Sequence, residues 1–221
     1  MLGFVNRPNL PASQVALCAV GEGTAAKNAL KALGIDVLSL KADSGLCAPV
    51  TTHADMLMLH TGGNSILLLP LQQDAALTLT GYGFNTHFTT DTAMPEYPHD
   101  VLLNALIINN RVFAHKRTLQ LLERDAPELK GMSFVEVKQG YTRCSVCPVT
   151  SDAVITEDKG LAAVLRSFDT DVLLIEKGSV LLNGYDCGFI GGACALISDK
   201  TLAINGNLRY NSNKLWSCCS L

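Results

Sequence analysis

The sequence is poor in aromatic residues and has no marked excess of charge of either sign. Phe, Tyr and Trp make up 6% of its 221 residues, so a core must be built mainly from aliphatic side chains, which the hydrophobic share of 48% allows. The net charge is -3 at neutral pH. Proteins that bind nucleic acid usually present a basic face to the phosphates, so this balance argues against a nucleic-acid partner.

Long apolar runs are also missing. The longest, Ile66–Leu71, has the length of a strand and falls far short of the roughly 20 residues that span a bilayer. The first residues, MLGFVNRPNLP, lack the basic start and the apolar stretch of a secretory signal. We therefore expect a cytoplasmic protein without a membrane partner.

Cysteine, in contrast, is plentiful. The eight cysteines occupy positions 18, 47, 144, 147, 187, 194, 218 and 219. A scaffold held by disulfides suits small secreted domains, so it fits neither the length nor the expected compartment. Most of these residues are expected to be buried free thiols, which pack like small apolar side chains.

A unit of two short strands, a helix and a third strand occurs twice in the middle of the sequence. Val135 and Leu173 hold the same place in the two copies, so the period is roughly 40 residues, in the range of repeat architectures. The predicted elements are a hairpin at Asn104–His115 with its turn at Asn109-Asn110, a helix at Thr118–Arg124 and a strand at Phe134–Val137, and then a hairpin at Val146–Thr156, a helix at Lys159–Phe168 and a strand at Val172–Ile175.

The same unit is predicted three more times, in whole or in part. The first copy lacks a clear first strand, which Leu2–Val5 could supply, and the last copy lacks its helix and third strand. We predict one domain over residues 1–208 and an irregular tail over residues 209–221. The other predicted elements are strand Val15–Val20, a helix from the N-cap Thr24 to Gly34, strand Ile35–Leu40, a hairpin at Ala54–Leu69 with its helix within Leu71–Leu79 and third strand within Gly83–Thr89, and a hairpin at Ala193–Asn205.

Five units of this kind resemble the pentein fold, also called the guanidino-group-modifying-enzyme fold. The resemblance is closest to an uncharacterised family of bacterial proteins built on that fold, and it extends from about Gly34 to Leu208. It implies an α/β fold, a pseudo-fivefold αβ-propeller of ββαβ units whose last unit is truncated. The segments that carry it are YPHDVLLNA (97–105), VKQGYTRCSVCPV (137–149), ITEDKGLA (155–162), DVLLIEKG (171–178) and GYDCGFIGGACALISDKTLAINGNL (184–208).

The resemblance implies a relation of architecture to arginine deiminase and dimethylarginine dimethylaminohydrolase. Those enzymes hold a guanidinium between carboxylates, attack it with a Cys thiolate and move protons with a His. Their nucleophile lies near the end of the chain, in the last unit. This sequence offers only Cys194 and the Cys218-Cys219 pair in that region. The Cys motif of the enzymes therefore cannot be transferred residue by residue.

The loops that lead into the hairpins should point to the centre of such a ring. We take Cys144 as the candidate nucleophile and His53 as its base, with Arg143 either lowering the pKa of the thiol or facing solvent. Each candidate also has a structural interpretation, such as a local cap or a plain buried thiol. The candidate ligand-binding residues are Asp55, Asp100, Asn104 and Asp186.

Residues Gly21–Ala26 match the dinucleotide-binding pattern G-x-G-x-x-A between a strand and a helix. The hairpins elsewhere do not fit a doubly wound sheet, which has single strands alternating with helices. A tight turn between strand and helix also explains these glycines. We therefore favour the turn and predict no cofactor.

The pair Cys144 and Cys147, with Cys187 and Cys194 further along, could suggest a zinc or redox site. The spacing of the second pair is too wide for a structural zinc ribbon. Residues three apart on a strand point to opposite faces, and a redox C-x-x-C needs a helix N-terminus. We predict no metal site here.

Three functions stay open. The sequence favours an uncharacterised pentein-like protein that binds a small cationic ligand, of guanidine or amidine type, in a central channel. The alternatives are a Cys-dependent hydrolase or amidinotransferase acting on guanidino compounds, and a thiol or zinc protein that uses Cys144 and Cys147. The sequence does not indicate an oligomeric state.

Overall fold

The structure is a computed structural model that describes residues 3–21, 24–182, 185–206 and 216–217; for Thr24 and the last two residues it describes the backbone alone. It is a mixed α/β protein with small sheets. Among the described residues, no helix is long and apolar enough to cross a membrane.

The first unit follows the predicted order of elements, and the second does so after its opening residues. In the first, the chain leaves the helix through Gly34 at φ +74°, the left-handed conformation predicted for the end of this helix. The bounds are β1 (Leu17–Val20), α1 (Thr24–Ala32) and β2 (Asp36–Ser39) in the first unit, and α2 (Ala54–Leu57), β3 (Met58–Gly62), β4 (Ser65–Leu68), α3 (Gln73–Gly81) and β5 (Asn85–Phe88) in the second, with a 3-10 turn at Ala48–Val50 between them.

The remaining units begin with short hairpins. Asn109 and Asn110 both have positive φ, 48° and 56°, as a tight hairpin turn requires, and both lie where the sequence predicts this turn. The bounds are β6 (Leu106–Ile108), β7 (Arg111–Ala114), α4 (Lys116–Asp125), a 3-10 turn at Pro127–Leu129 and β8 (Ser133–Glu136), then β9 (Val146–Pro148), β10 (Ala153–Thr156), α5 (Lys159–Arg166), β11 (Asp171–Leu174) and β12 (Val180–Leu181), and finally α6 (Ile190–Ala193), β13 (Cys194–Ser198), β14 (Thr201–Ile204) and β15 (Trp216–Ser217).

Units two to four share one pattern of strand pairing. A hairpin pairs antiparallel, and its second strand then pairs in parallel with the strand that follows the helix, giving the orders β3-β4-β5, β6-β7-β8 and β11-β10-β9. In the third unit, Val112 lies opposite Ile107 on one side and opposite Phe134 on the other. A parallel pair needs a crossover connection, and the helix of each unit provides it.

The first and last units have only part of this pattern among the described residues. Strands β1 and β2 pair in parallel, and β13 and β14 pair antiparallel. Residues 3–5, which could have supplied the missing first strand, form none, although the Val5 carbonyl accepts a hydrogen bond from the Gly63 amide. Two residues of the expected irregular tail, Trp216–Ser217, form β15, which pairs in parallel with β12.

Some expectations lie partly outside the described residues. Positions 22 and 23 of the glycine-rich turn are among these, as is the side chain of Thr24 that was predicted to cap the helix. Residues 207–215 and 218–221 also lie outside the described residues, and they include two of the eight cysteines. The prediction of an irregular tail over residues 209–221 therefore stays a prediction.

The start of the second hairpin differs from the prediction. Ala54–Leu57, expected to be the beginning of a strand, is the single helical turn α2. Met56 and Leu57 are both buried, and a strand would send such neighbours to opposite faces of its sheet. The helical turn places both in the core instead. The fifth unit has the same feature, since α6 directly precedes β13.

Within the described residues, four hydrophobic clusters join neighbouring units. The largest contains residues of the first three units and Cys144 before the fourth hairpin, the second joins units three and four, and the third joins units four and five. The fourth joins the last hairpin to the first unit, through Ile197 against Val20, Leu30 and Ile35. In the same region the Val15 amide donates to the Ile197 carbonyl at 2.9 Å. Every unit therefore buries its apolar side chains against another unit.

Helix α3 offers a matched test of this packing. Leu79 is 1% exposed, whereas Leu77 on the same helix is 74% exposed. We expect Leu79→Ala to lower the free energy of unfolding by about 2–5 kcal/mol, because it removes buried methyl groups and leaves a cavity. Leu77→Ala should change it by no more than about 0.5 kcal/mol. Urea unfolding followed by circular dichroism measures both, and equal losses would contradict the burial described for this helix.

Candidate functional site

The side chain of Asn104 lies at the centre of the site, just before the third hairpin. It is fully buried, in a stretch whose neighbours Leu103 and Ala105 are fully buried too. Its Oδ1 accepts hydrogen bonds from the backbone amides of Arg143, at 2.7 Å, and Cys144, at 3.2 Å. A backbone N–H can only donate, so these two contacts fix which end of the amide is the oxygen.

The other end of this amide contacts the second and fourth units. The Asn104 Nδ2 donates to the carbonyl of Asp55 at 3.1 Å and to Cys144 Sγ at 3.0 Å, and it lies 3.1 Å from Met56 Sδ. The residue therefore links the loops in front of three hairpins. Two of the predicted ligand-binding residues, Asp55 and Asn104, are brought together with the predicted nucleophile.

His53, Asp55 and Cys144 converge in this region. One ligand atom from each side chain lies within 4.8 Å of the others. His53 precedes α2, Asp55 lies in its first turn, and Cys144 lies two residues before β9. Since α2 replaces the expected strand, it is this helical turn that carries His53 and Asp55 to the same place.

Two residues at the start of the second unit have unsatisfied polar atoms. His53 Nδ1 and both carboxylate oxygens of Asp55 are buried and have no hydrogen-bond partner among the described residues. Burial lowers the pKa of His53, and the charge of Asp55 opposes this effect. A buried carboxylate without donors is costly. The site is therefore ready to receive a donor or a cation.

Asp55 also lines a cavity of about 220 Å³. We call it the shared cavity, because residues from all five units line it, together with Asn9 near the N-terminus. His53 and Cys144 are not among the lining residues. Besides Asp55, the charged residue of its wall is Arg143. The residues contributed by the five units include Leu17, Leu59, Leu103, Arg143 and Leu196.

Arg143 is held mainly by backbone carbonyls. It is 8% exposed, so it does not face solvent. Its Nη1 donates to the carbonyls of Val146, at 3.0 Å, and Gly191, at 3.1 Å, and its Nε donates to Asn9 Oδ1 at 3.2 Å. Within the described part of the chain it forms no salt bridge. Its charge is therefore available to whatever enters the shared cavity.

The sequence matches the model of a family over residues 21–215, and that family is described as one of unknown function, DUF6873. The chain belongs to this family. Among curated proteins, none matches the sequence.

Solved structures of enzymes resemble this DUF6873 chain. An amidinotransferase from Microseira wollei, SxtG of the saxitoxin biosynthetic pathway, has a TM-score of 0.59 at 10% identity, over 91% of this chain and 85% of that chain. An inosamine-phosphate amidinotransferase from Streptomyces griseus has a TM-score of 0.51 at 12% identity, over 82% of this chain and 67% of that chain. A DDAH from Pseudomonas aeruginosa in complex with citrulline has a TM-score of 0.45 at 11% identity, over 77% of this chain and 68% of that chain. The two structures with TM-scores above 0.5 show, at such identities, a fold alone, the pentein fold.

Asp100, predicted to bind ligand, is neither one of the three converging residues nor part of the wall of the shared cavity. It is 1% exposed, and the hydroxyl of Tyr141 donates a hydrogen bond to Asp100 Oδ2. Burial raises the pKa of Tyr141, and the hydrogen bond with Asp100 raises it further. The other carboxylate oxygen, Oδ1, is buried and has no partner in the described chain. Asp100 therefore serves first to hold Tyr141.

Asp186, the fourth predicted ligand-binding residue, lies apart from these groups. It is exposed, and it is not among the residues that line the shared cavity. Its charge acts on Cys187, whose pKa is raised chiefly by burial. The residues of the fifth unit that do line the cavity are Ala195 and Leu196 on β13.

The C-x-x-C pair is not assembled at one place. Cys144 belongs to the large cluster of the first three units, whereas Cys147 and Cys194 belong to the cluster of units four and five. A hydrogen bond with Cys194 lowers the pKa of Cys147, burial opposes this, and the charge of Arg143 lowers it as well. The Arg143 guanidinium thus contributes to the lowered pKa of Cys147. All six described cysteines are buried or half-buried, and none of them forms a disulfide with another described residue.

Sequence reasoning missed Tyr141, and it noticed Gly191 only as part of the loop 188–192 before the last hairpin, without a role. A Cβ at Gly191 would lie 2.2 Å from the Arg143 carbonyl oxygen and 2.4 Å from that of Val146, so only glycine fits. Paired glycines before a strand are a signal of close backbone approach, and Gly191-Gly192 carried it. For Tyr141 no comparable signal exists, because its partner Asp100 is 41 positions away.

Asn104 is the residue whose replacement should disturb this site most. We expect Asn104→Ala to lower the free energy of unfolding by about 2–5 kcal/mol, because the amides of Arg143 and Cys144 lose their acceptor while still buried. Asn85→Ala, at an exposed position on β5, is the control and should cost no more than about 0.5 kcal/mol. Denaturant unfolding gives both values, and a loss for Asn104→Ala as small as the control's would contradict the bridging role.

Proposed function

We propose that this protein binds a small organic cation of guanidine or amidine type in the shared cavity, with Asp55 as its anionic partner. One observation carries the proposal: both carboxylate oxygens of Asp55 are buried without a donor, and the residue lines the cavity. A guanidinium or amidinium offers two parallel N–H groups, which match the two oxygens of a carboxylate.

A pseudo-fivefold ring of the five units is part of this proposal. Two observations support it. The hydrophobic clusters join the units in consecutive order and return from the last hairpin to the first unit, and all five units contribute residues to the shared cavity. In such a ring the cavity is the central channel. Two solved structures of this fold with TM-scores above 0.5 are amidinotransferases, which agrees with a ligand of this chemistry.

The size and the charges of the cavity restrict the ligand. Its volume of about 220 Å³ is below the roughly 300–1,000 Å³ that is usual for sites of drug-sized ligands. The second charge of the wall, Arg143, repels a compound that is cationic at both ends. We therefore expect a short ligand that presents its cationic group to Asp55 and an oxygen acceptor to Arg143.

Replacement of Asp55 tests the proposal. We expect acetamidine and guanidinium to bind to the wild-type protein, and Asp55→Asn to weaken this binding roughly 10- to 100-fold, because a charge-assisted contact is worth about 1.5–3 kcal/mol. The shift of backbone amide signals during NMR titration measures the affinity of each protein for these cations. Asp74→Asn, an exposed carboxylate on α3, is the matched control, and the neutral isosteres acetamide and urea control for shape. Equal binding by the Asp55→Asn variant would refute the assignment.

A Cys-dependent hydrolase or amidinotransferase is the second candidate, favoured by the convergence of His53 and Cys144 within 4.8 Å. Attack on a ligand in the shared cavity would need the Cys144 sulfur to reach it, and Cys144, unlike Asp55, is not among the residues that line the cavity. The resting arrangement therefore supports binding better than catalysis.

The rate of thiol alkylation separates these two candidates. Under the binding proposal, iodoacetamide should modify the half-buried Cys47 well before the fully buried Cys144, since reaction needs access to the sulfur. Peptide mass spectrometry of samples quenched over time reports each site. Faster labelling of Cys144 than of Cys47, with loss of that advantage in His53→Gln, would favour the enzyme instead.

A further inference from the structure

His53, Asp55 and Cys144 offer three kinds of ligand atom at one place. The imidazole nitrogen, carboxylate oxygen and thiol sulfur lie within 4.8 Å of one another. His53 is 3% exposed and Cys144 is 0% exposed. Ligands of a tetrahedral zinc ion, at about 2.0–2.3 Å from the metal, lie about 3–4 Å apart. Small rotations of these side chains are therefore enough to close the set on one ion.

Unsatisfied atoms give independent support for a bound cation. His53 Nδ1 and both Asp55 oxygens are buried and have no partner among the described residues. In folded proteins the large majority of buried polar side-chain atoms are hydrogen-bonded, so each exception calls for an explanation. The same two residues each place a ligand atom within 4.8 Å of the Cys144 sulfur. A cation bound among the three residues would explain the unsatisfied atoms together.

The positions of these three residues indicate that a metal ion, and not an organic molecule, can contact all of them. Asp55 lines the shared cavity, but His53 and Cys144 do not. A guanidinium arriving from the cavity therefore meets Asp55 alone. A metal ion needs only the space between the ligand atoms, and a mixed set of nitrogen, oxygen and sulfur ligands suits zinc and its neighbours in the transition series.

We propose that His53, Asp55 and Cys144 form a binding site for one divalent transition-metal ion of the zinc type. This site goes beyond the proposed function and shares only Asp55 with it. It is also distinct from the Cys144 and Cys147 pair, because Cys147 belongs to another cluster.

Asn104 is the positioning residue of this site. Its Nδ2 already donates to Cys144 Sγ at 3.0 Å, and hydrogen bonds of this kind from outer residues orient metal ligands and tune them. The thiol must lose its proton to bind the ion, so uptake of M²⁺ by neutral Cys144 releases one proton to solvent. Because Asp55 serves both occupants, the metal ion and an organic cation should compete.

Cobalt(II) is the probe that reports the ligand set directly. Full-length protein is treated with a chelator, freed of it, and titrated with Co²⁺. We expect one equivalent to bind with a sulfur-to-cobalt charge-transfer band in the near ultraviolet. Cys144→Ser should abolish that band, and Asp55→Asn should weaken binding roughly tenfold or more. The control Cys187→Ser, at a half-buried cysteine that does not line the shared cavity, should bind like the wild type.

A second measurement keeps the test decisive if a variant fails to fold. X-ray absorption of wild-type protein loaded with Zn²⁺ should show one sulfur and a remainder of nitrogen and oxygen ligands. Two or more sulfur ligands, or less than a tenth of an equivalent bound tightly, would overturn the proposal. So would a charge-transfer band that survives in folded Cys144→Ser.

The outcome is separable from that of the proposed function. Acetamidine binding is measured on the same chelator-treated protein, before metal is added. Binding of acetamidine without Co²⁺ binding overturns the metal site alone, and binding of Co²⁺ without acetamidine binding overturns the cation-binding function alone. If both bind, one equivalent of Zn²⁺ should weaken the affinity for acetamidine at least tenfold, and an unchanged affinity would overturn the shared use of Asp55.

Discussion

The hydrogen bonds of the Asn104 amide are the constraint on which the site depends. Hydrophobic contacts hold neighbouring units together but are not directional, so they leave the relative rotation of two packed loops loosely defined. The Asn104 Oδ1 accepts a hydrogen bond from the amide of Arg143, before the fourth hairpin. Its Nδ2 donates to the carbonyl of Asp55, before β3. Its planar geometry therefore sets how the loops of three units face one another, and with that the meeting of His53, Asp55 and Cys144.

Two opposite charges lie in the wall of the same cavity without neutralising each other. Within the described residues, no salt bridge joins Asp55 to Arg143; the guanidinium is bound by carbonyls and an amide oxygen instead. Keeping a buried carboxylate apart from a buried cation costs stability. Such costs are concentrated at functional sites, where the missing partner arrives as a ligand.

The sequence is enough to predict the repeated elements and four residues of the site, but it does not predict how those residues contact one another. Alternating apolar runs and turn residues such as Asn109-Asn110 are local signals, and the structure confirms them. The repeat brought His53, Asp55, Asn104 and Cys144 to notice because equivalent loops lie at equivalent places. Their contacts depend on packing between units, which no local pattern encodes. The helical turn at Ala54–Leu57 was missed because a short apolar run suits a strand equally well.

The hydrogen bond from Val15 to Ile197 has a consequence for how the chain acquires its shape during synthesis. Val20, Leu30 and Ile35 of the first unit pack against Ile197 from the last hairpin, so this apolar face stays open while most of the polypeptide is still being made. Leu38 of the same unit can pack earlier, against the second unit. The units in the middle can pack against each other earlier, because their partners are close in sequence. This face of the first unit is thus among the last of the described core to be covered, and in the meantime it is open to chaperones and to unwanted contacts.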